Sequence, residues 1–174
     1  MRKWCSMILN LKLVKINSDY CDYLRNYDNR VSYNKYSKEL RPFVGILFKI
    51  GKVEYFAPLS SPKTKHLNMK NTIDFLKIDL GKLGAVNFNN MIPVFCENYN
   101  IINLEEKVNK KSDILYQNLL KNQLSWLNAN YKQLQNKAYK LYNLHKSGKL
   151  SKRIYDRCCD FKLLEKICKE YNKK

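Results

Sequence analysis

Acidic residues are scarce. Fifteen Asp and Glu stand against 33 Lys and Arg in 174 residues, which leaves a net charge of +18. The acids are also scattered, so no paired-carboxylate signature of a two-metal nuclease can be drawn, and Mg²⁺-dependent hydrolysis is not expected. Histidine is rarer still. His66 and His145 are the only two, and neither lies at ligand spacing to a cysteine pair, so a zinc site is not expected. Neither a metal nor a cofactor is called for. The six cysteines (Cys5, Cys21, Cys96, Cys158, Cys159 and Cys168) include no C-x-x-C pair. A chain of this length does not need covalent staples, so reduced cytosolic thiols are the better reading. Residues 1–30 lack both the apolar core and the small-residue cleavage site of a secretory signal, and a cytoplasmic protein is expected. No apolar run reaches membrane-spanning length, so no membrane partner is expected. Gly45 and Gly51-Lys52 imitate a P-loop, but five residues rather than four separate the glycines, and Val53 stands where Ser or Thr is required. A Rossmann fingerprint is also missing.

What is present is basic charge on a chain that can fold. Hydrophobic residues make up 45% of the sequence, ordinary for a globular protein. The length suits one domain, here residues 1–174. A surface this basic gains on meeting a polyanion, and nucleic acid is the default because each neutralised phosphate releases counterions. Codon bias in an A/T-rich genome would also enrich Lys, Asn, Ile and Tyr, so charge alone leaves both readings open.

The chain reads as strands first and helices later. Leu11–Ile16 is a first strand. A short helix follows, capped by Asn17 or Ser18, with Tyr20, Tyr23, Leu24 and Tyr27 on one face. Residues 28–41 are polar and basic and read as an ordered loop. Phe43–Ile50 and Val53–Leu59 form a hairpin about Gly51-Lys52, and residues 60–66 are too polar for core and read as a loop. Further short strands are expected at Ile73–Leu80, Ala85–Phe88 and Met91–Phe95, with Gly81-Lys82-Leu83-Gly84 as a plain turn. From Ser112 the period becomes helical. A second long helix runs from Tyr131 to Ser147, with Asn130 and Gln133 as a capping box and Gly148 as its stop. A last helix follows Asp160 as N-cap and turns Phe161, Leu164, Ile167, Cys168 and Tyr171 inward. The expected fold is α+β, an antiparallel, strongly curved sheet with helices packed on it.

One segment carries chemistry. Ala57-Pro58-Leu59-Ser60-Ser61-Pro62-Lys63-Thr64-Lys65-His66 offers two adjacent hydroxyls, two lysines and an imidazole, with Pro62 stiffening the turn. Metal-free RNA cleavage needs a deprotonated 2′-OH, a stabilised phosphorane, a protonated leaving oxygen and an aligned strand. Ser, Lys, His and Tyr can supply these. A solvated basic loop would look much the same.

A resemblance adds to this reading. Phe43-Val44-Gly45-Ile46, then Tyr55-Phe56-Ala57-Pro58-Leu59-Ser60-Ser61-Pro62-Lys63, then His66, resembles the ToxN/AbiQ family of type III toxin–antitoxin endoribonucleases. Lys82-Leu83-Gly84-Ala85-Val86-Asn87, Met91-Ile92-Pro93-Val94, Cys159–Glu165, and Tyr20, Tyr23 and Asp28-Asn29-Arg30-Val31 look like further family blocks. The resemblance runs from about Leu11 over most of the chain, and its most specific part is the Pro-Leu-Ser-Ser-Pro-Lys block. It implies a compact MazF/CcdB-like toxin sheet with added helices. It also implies metal-independent cleavage of single-stranded RNA, with mRNA as substrate, leaving a 2′,3′-cyclic phosphate and a 5′-hydroxyl. The inhibitor it implies is a repeated RNA pseudoknot, cut from a precursor and bound in a closed protein–RNA ring, with no protein antitoxin.

By the same resemblance Ser61 takes the place of the family's critical serine, Ser60 that of the neighbouring hydroxyl, and Lys63 that of the active-site lysine. Arg41 stands where the family has Lys, which keeps charge but cannot act as a base. Tyr36 is the first choice for the loop tyrosine and Tyr33 the second. His66 matches a family histidine whose role could be structural. Lys35, Lys38, Lys65 and Lys82 complete the expected RNA-binding set with Arg41 and Tyr33. Two other functions compete: a non-catalytic basic RNA-binding module, and a DNA-acting protein such as a gyrase poison.

Overall fold

The computed structural model describes residues 10–33 and 41–172. Strand β1 (Lys12–Ile16) leads into helix α1 (Ser18–Arg25). Then come β2 (Phe43–Gly45), β3 (Lys49–Ile50), β4 (Val53–Ser60), helix α2 (Thr64–Asn68), β5 (Phe75–Lys77), β6 (Ala85–Asn87), β7 (Ile92–Val94) and β8 (Tyr99–Ile101). Helices α3 (Lys111–Ala129), α4 (Tyr131–Lys146), α5 (Lys152–Tyr155) and α6 (Phe161–Tyr171) complete the chain. Strands before helices, in an α+β arrangement, is the order the sequence leads one to expect.

All pairings are antiparallel. The sheet runs β5-β6-β4-β2-β1-β8 without closing, and β3 and β7 also pair with β4. Strand β4 is the hub. Its first half pairs with β3 and with β7 (Tyr55 opposite Pro93), its second half with β2 (Ala57 opposite Val44) and with β6 (Ser60 opposite Ala85). Val53 to Leu59 are therefore buried without alternation, as in a strand covered on both faces. The β2–β4 contact is close. A Cβ on Gly45 would run into the Phe56 ring, so the Phe43-Val44-Gly45 block leaves room for that ring.

Helix α6 packs on β7 and against α1 and α4, while α3 lies on β1. Phe161 and Tyr142 bring the helices onto Tyr55 and Phe48 in an aromatic cluster. The Tyr55 and Tyr142 hydroxyls both donate to Glu165, at 2.7 and 2.5 Å, so the polar ends of that cluster are satisfied. Asp28 ties the end of α1 to the start of α6. Its buried carboxylate accepts from the Arg30 backbone and guanidinium and from the Asp160 N–H at 2.7 Å. The five described cysteines are free, four of them buried. No helix among the described residues is long and apolar enough to cross a membrane.

Several local expectations are corrected. Residues 60–66 are not all loop: β4 continues through Ser60, and Thr64 to Asn68 wind into α2. Phe43–Ile50 is two strands rather than one, and of Ile73–Leu80 only Phe75–Lys77 is strand, because Asp79–Gly81 forms a 3₁₀ turn. Asn130 precedes α4 but makes no side-chain cap; its amide donates back to the Trp126 carbonyl at 2.8 Å. Asn17 likewise makes no cap bond, whereas Asp160 does, accepting from the Leu163 N–H at 3.0 Å. Ile114 and Leu115 lie on α3 but are exposed. Strand β8 and helix α5 have no counterpart in the sequence reading.

Candidate active site

The end of β4 opens into a cleft of about 400 Å³. One wall comes from a short stretch of four lining residues: Ser60 at the end of β4, then Lys63, Lys65 and His66 where α2 begins. Thr72, Asp74 and Phe75 form a second wall, Asn87 and Asn89 a third, and Arg153 and Arg157 approach from α5 and the segment after it. Among the described residues, Lys63, Lys65, Lys70, Arg153 and Arg157 share the cleft with one carboxylate, that of Asp74. Cations gathered in a concave site focus the field on an incoming anion.

That carboxylate is already engaged. It accepts from Arg157 Nε and Nη2 at 2.6 and 2.7 Å and from the Thr72 hydroxyl at 2.8 Å. Burial pushes its pKa up, but the hydrogen bonds from Arg157 and Thr72 outweigh burial and hold it below the usual carboxylate range. Asp74 is therefore ionised and matched, and lone pairs already filled in this way are poorly placed to collect a divalent ion. No group of three His, Cys, Asp or Glu side chains that could hold a metal occurs among the described residues.

The backbone around Ser60 is tightly seated. Gly84 has φ +104, and a Cβ there would collide with the Ser60 carbonyl oxygen. Gly81 backs onto the His66 carbonyl in the same way, at 2.7 Å. The Gly81-Lys82-Leu83-Gly84 turn is thus the shelf on which the Ser60–His66 stretch rests. Asn87, on β6, donates through Nδ2 to Ser60 Oγ at 2.8 Å. A hydroxyl that accepts from an amide keeps its own proton to donate elsewhere, and here the cleft is the open direction.

The expected site residues separate into groups. Ser60, Lys63, Lys65 and His66 meet in the cleft. Ser61 is exposed beside it and does not line it. His66 is only 2% exposed, and its Nδ1 has no hydrogen-bond partner. Burial, then the charges of Lys65 and Lys63, lower its pKa, so it is neutral at pH 7. Arg41 is half-buried just before Pro42, whose carbonyl accepts the Leu59 N–H at 2.9 Å, so it enters beside the end of β4. Lys82 is exposed on the glycine turn. Tyr33 lies half-buried under the Arg25 guanidinium, 5.2 Å from its ring centre. Tyr36, Lys35 and Lys38 lie outside the described residues. Sequence reasoning missed Asn87, Asp74, Arg153 and Arg157. Asn87 was visible as the last residue of the Lys82–Asn87 block, but nothing local ties Asp74 to Arg157.

With this geometry in view, comparison with known proteins is informative. The family described as Toxin ToxN, type III toxin-antitoxin system, matches residues 12–169. Endoribonuclease ToxN of Bacillus thuringiensis subsp. kurstaki is 36% identical over 169 residues, covering 95% of this chain and 86% of the relative. Endoribonuclease AbiQ of Lactococcus lactis subsp. lactis is 27% identical over 177 residues, with 95% and 92% covered. A solved structure concerned with selective toxin inhibition by a non-coding RNA pseudoknot superposes with a TM-score of 0.81 at 34% identity, over 95% of this chain and 100% of that one. The structure of AbiQ, described as a lactococcal anti-phage endoribonuclease of a type III system, gives a TM-score of 0.81 at 25% identity, over 95% and 100%. The fold places the chain in a class, the small α+β endoribonuclease-like toxin folds on which it superposes. Within that class the chain belongs to the ToxN/AbiQ family of type III toxin–antitoxin toxins.

Proposed function

We propose that this chain is a metal-independent endoribonuclease toxin that cuts single-stranded RNA in the cleft at the end of β4. One observation carries the reading: in a member of this family, Ser60, Lys63, Lys65 and His66 share a cationic cleft in which the one carboxylate among the described residues, Asp74, is paired with Arg157. In the reaction the substrate's 2′-OH gives its proton to a base in the site and its oxygen attacks the adjacent phosphorus. The P–O5′ bond breaks, the 5′-oxygen takes a proton, and the products are a 2′,3′-cyclic phosphate and a 5′-hydroxyl.

The roles follow from placement. Ser60, set by Asn87, donates to a non-bridging phosphate oxygen, and the exposed Ser61 does so from the rim once the strand is bound. Lys63 and Lys65 supply charge as the phosphorane forms. His66 is buried and neutral, so it shapes the wall of the cleft and is not the proton donor. Proton transfer is assigned to Lys63 and, on the family resemblance alone, to Tyr36.

The proposed partners rest on the family resemblance, with the pseudoknot RNA of a solved relative in support. The substrate is cellular or phage mRNA, and the inhibitor is an RNA of pseudoknot repeats that the toxin processes and holds in a closed ring. No protein antitoxin takes part, and the site of action is the cytoplasm. The exposure of Ser61 outside the cleft supports a second reading, a non-catalytic RNA-binding module.

One experiment separates them. The protein and Ser61→Ala are incubated with mixed single-stranded RNA in EDTA, and fragment ends are analysed. Cyclic-phosphate and 5′-hydroxyl ends, made only by the unmutated protein, support the ribonuclease. Intact RNA with a folded, RNA-binding protein supports the module. Cutting that EDTA stops and Mg²⁺ restores contradicts the mechanism.

A further inference from the structure

The cleft contains one cation that differs from the rest. Arg157 comes from the segment between α5 and α6, and its guanidinium is gripped by Asp74, whose side chain is 2% exposed. Both carboxylate oxygens are used, toward Nε and Nη2, and the Thr72 hydroxyl steadies one of them. The Arg157 main chain is pinned as well. Its carbonyl accepts from Asn89 Nδ2 at 3.4 Å, and Asn89 is bonded through its backbone to Asp74 at 3.2 Å and to Cys159 at 2.8 Å.

A guanidinium has five N–H donors in a rigid fork. Asp74 takes donors on two of the three nitrogens, and the Arg157 side chain remains 40% exposed in the cleft. The remaining donors are therefore held in one plane before any ligand arrives. Lysines on flexible stems lack that preorganisation, and a fixed fork matches phosphate oxygens.

We infer that Arg157, oriented by Asp74, forms a phosphate subsite in the cleft, where it holds an RNA phosphate next to the one that is cut. This rests on the ribonuclease reading for the identity of the strand. Asp74 is a positioning residue, and Arg157 is the group that touches RNA. If the pair only stitched the β5 region to the C-terminal segment, Arg157 would affect melting but not the way the protein reads phosphates.

The test uses a short single-stranded RNA made uncleavable by 2′-O-methyl groups, with one phosphate at a time replaced by a neutral methylphosphonate. Arg157→Gln is expected to weaken binding by on the order of tenfold or more, the range of one charged hydrogen bond. It should also lower the slope of log affinity against log salt by about 0.7. At one methylphosphonate position the two losses should fail to add, which marks a shared contact. Full additivity at every position overturns the inference.

Arg157→Gln strands the Asp74 carboxylate, so Asp74→Asn/Arg157→Gln is measured beside it. It should show the same non-additivity without an unpaired buried charge. Asp74→Asn alone keeps the cation but frees the fork, so the non-additivity should spread from one methylphosphonate position to its neighbours; non-additivity kept at the same single position would overturn the positioning role of Asp74. A pseudoknot RNA is titrated in parallel. Weakening of the single strand supports the subsite, and weakening of the pseudoknot alone assigns the contact to the inhibitor and overturns it. A protein that cuts ordinary RNA but shows additive losses removes the subsite and leaves the enzyme. Non-additivity in a protein that never cuts keeps the subsite and removes the enzyme.

Discussion

A single methyl group on Gly84 tests the link between fold and chemistry. Gly84→Ala must hold φ near +104 and place Cβ against the Ser60 carbonyl, with the Ser60 and Ser61 carbonyl carbons both at 3.1 Å, inside the 3.4 Å at which ordinary contact begins. Holding a non-glycine residue in that backbone region costs about 1–3 kcal/mol, and overpacking a filled site adds a similar amount. The colliding atoms are backbone at the end of β4 and just after it, so no flexible side chain can move away; the Ser60–Ser61 segment must shift. A total of about 2–6 kcal/mol corresponds to a melting temperature roughly 5–20 °C lower for a domain of this size. A displacement near 1 Å at a reacting group costs on the order of 10²-fold in kcat/KM. The control is Gly51→Ala. Gly51 also has positive φ, +60, but nothing lies within 4 Å of its Cβ position. That variant should lose only about 1–2 kcal/mol and cut RNA normally. Both are measured by thermal melting and by RNA cleavage at 20 °C, where each stays folded. A Gly84→Ala protein that melts like Gly51→Ala and cleaves at the unmutated rate would refute the idea that the glycine turn seats the serines.

Three further outcomes are expected. Ser61→Ala should abolish cleavage while keeping affinity for antitoxin-type RNA, read by gel shift beside the cleavage assay; retained cutting removes Ser61 from the mechanism. Asn87→Ala should lower kcat about tenfold with KM little changed, because it releases the Ser60 hydroxyl without removing charge; a pure KM effect would make Asn87 a binding residue instead. Stability should fall with acid in two stages. His66 and His145 have pKa values lowered first by burial, so their contribution is full above about 6.5 and is lost as pH falls through the depressed folded values. Asp28 and Asp74 are raised by burial but lowered further by their hydrogen bonds, so their contribution is full above about 4 and is lost below that. A melting temperature constant from pH 7.5 to 5 would contradict the first stage.

Much of the fold was legible because its signals are local. Gly51-Lys52 marks the hairpin, the change to a 3.6-residue period marks the long helices, and Asp160 marks the start of α6. The limits of strands were less legible. Phe43–Ile50 reads as one apolar run, yet it serves two pairings, β2 with β1 and β4, β3 with β4 alone. The polar Ser60–His66 stretch gives no periodic signal, so α2 was hidden in it. Asn130 has the right identity for a cap but directs its amide backward, a choice between two local bonds that composition does not weigh.

The sequence by itself determined the polyanion bias, the Val53–Leu59 hairpin strand, the hydroxyl and lysine block at its end, and the family to which that block belongs. Charge, hydrophobic runs and contiguous motifs are properties of neighbours along the chain. Only the tertiary structure decided that Ser60 rather than Ser61 faces the cleft, that His66 is buried, that Asn87 orients a hydroxyl and that Asp74 fixes Arg157. Each of those depends on which distant backbone lies against the end of β4, and that is set by the sheet register and by the glycine turn beneath it.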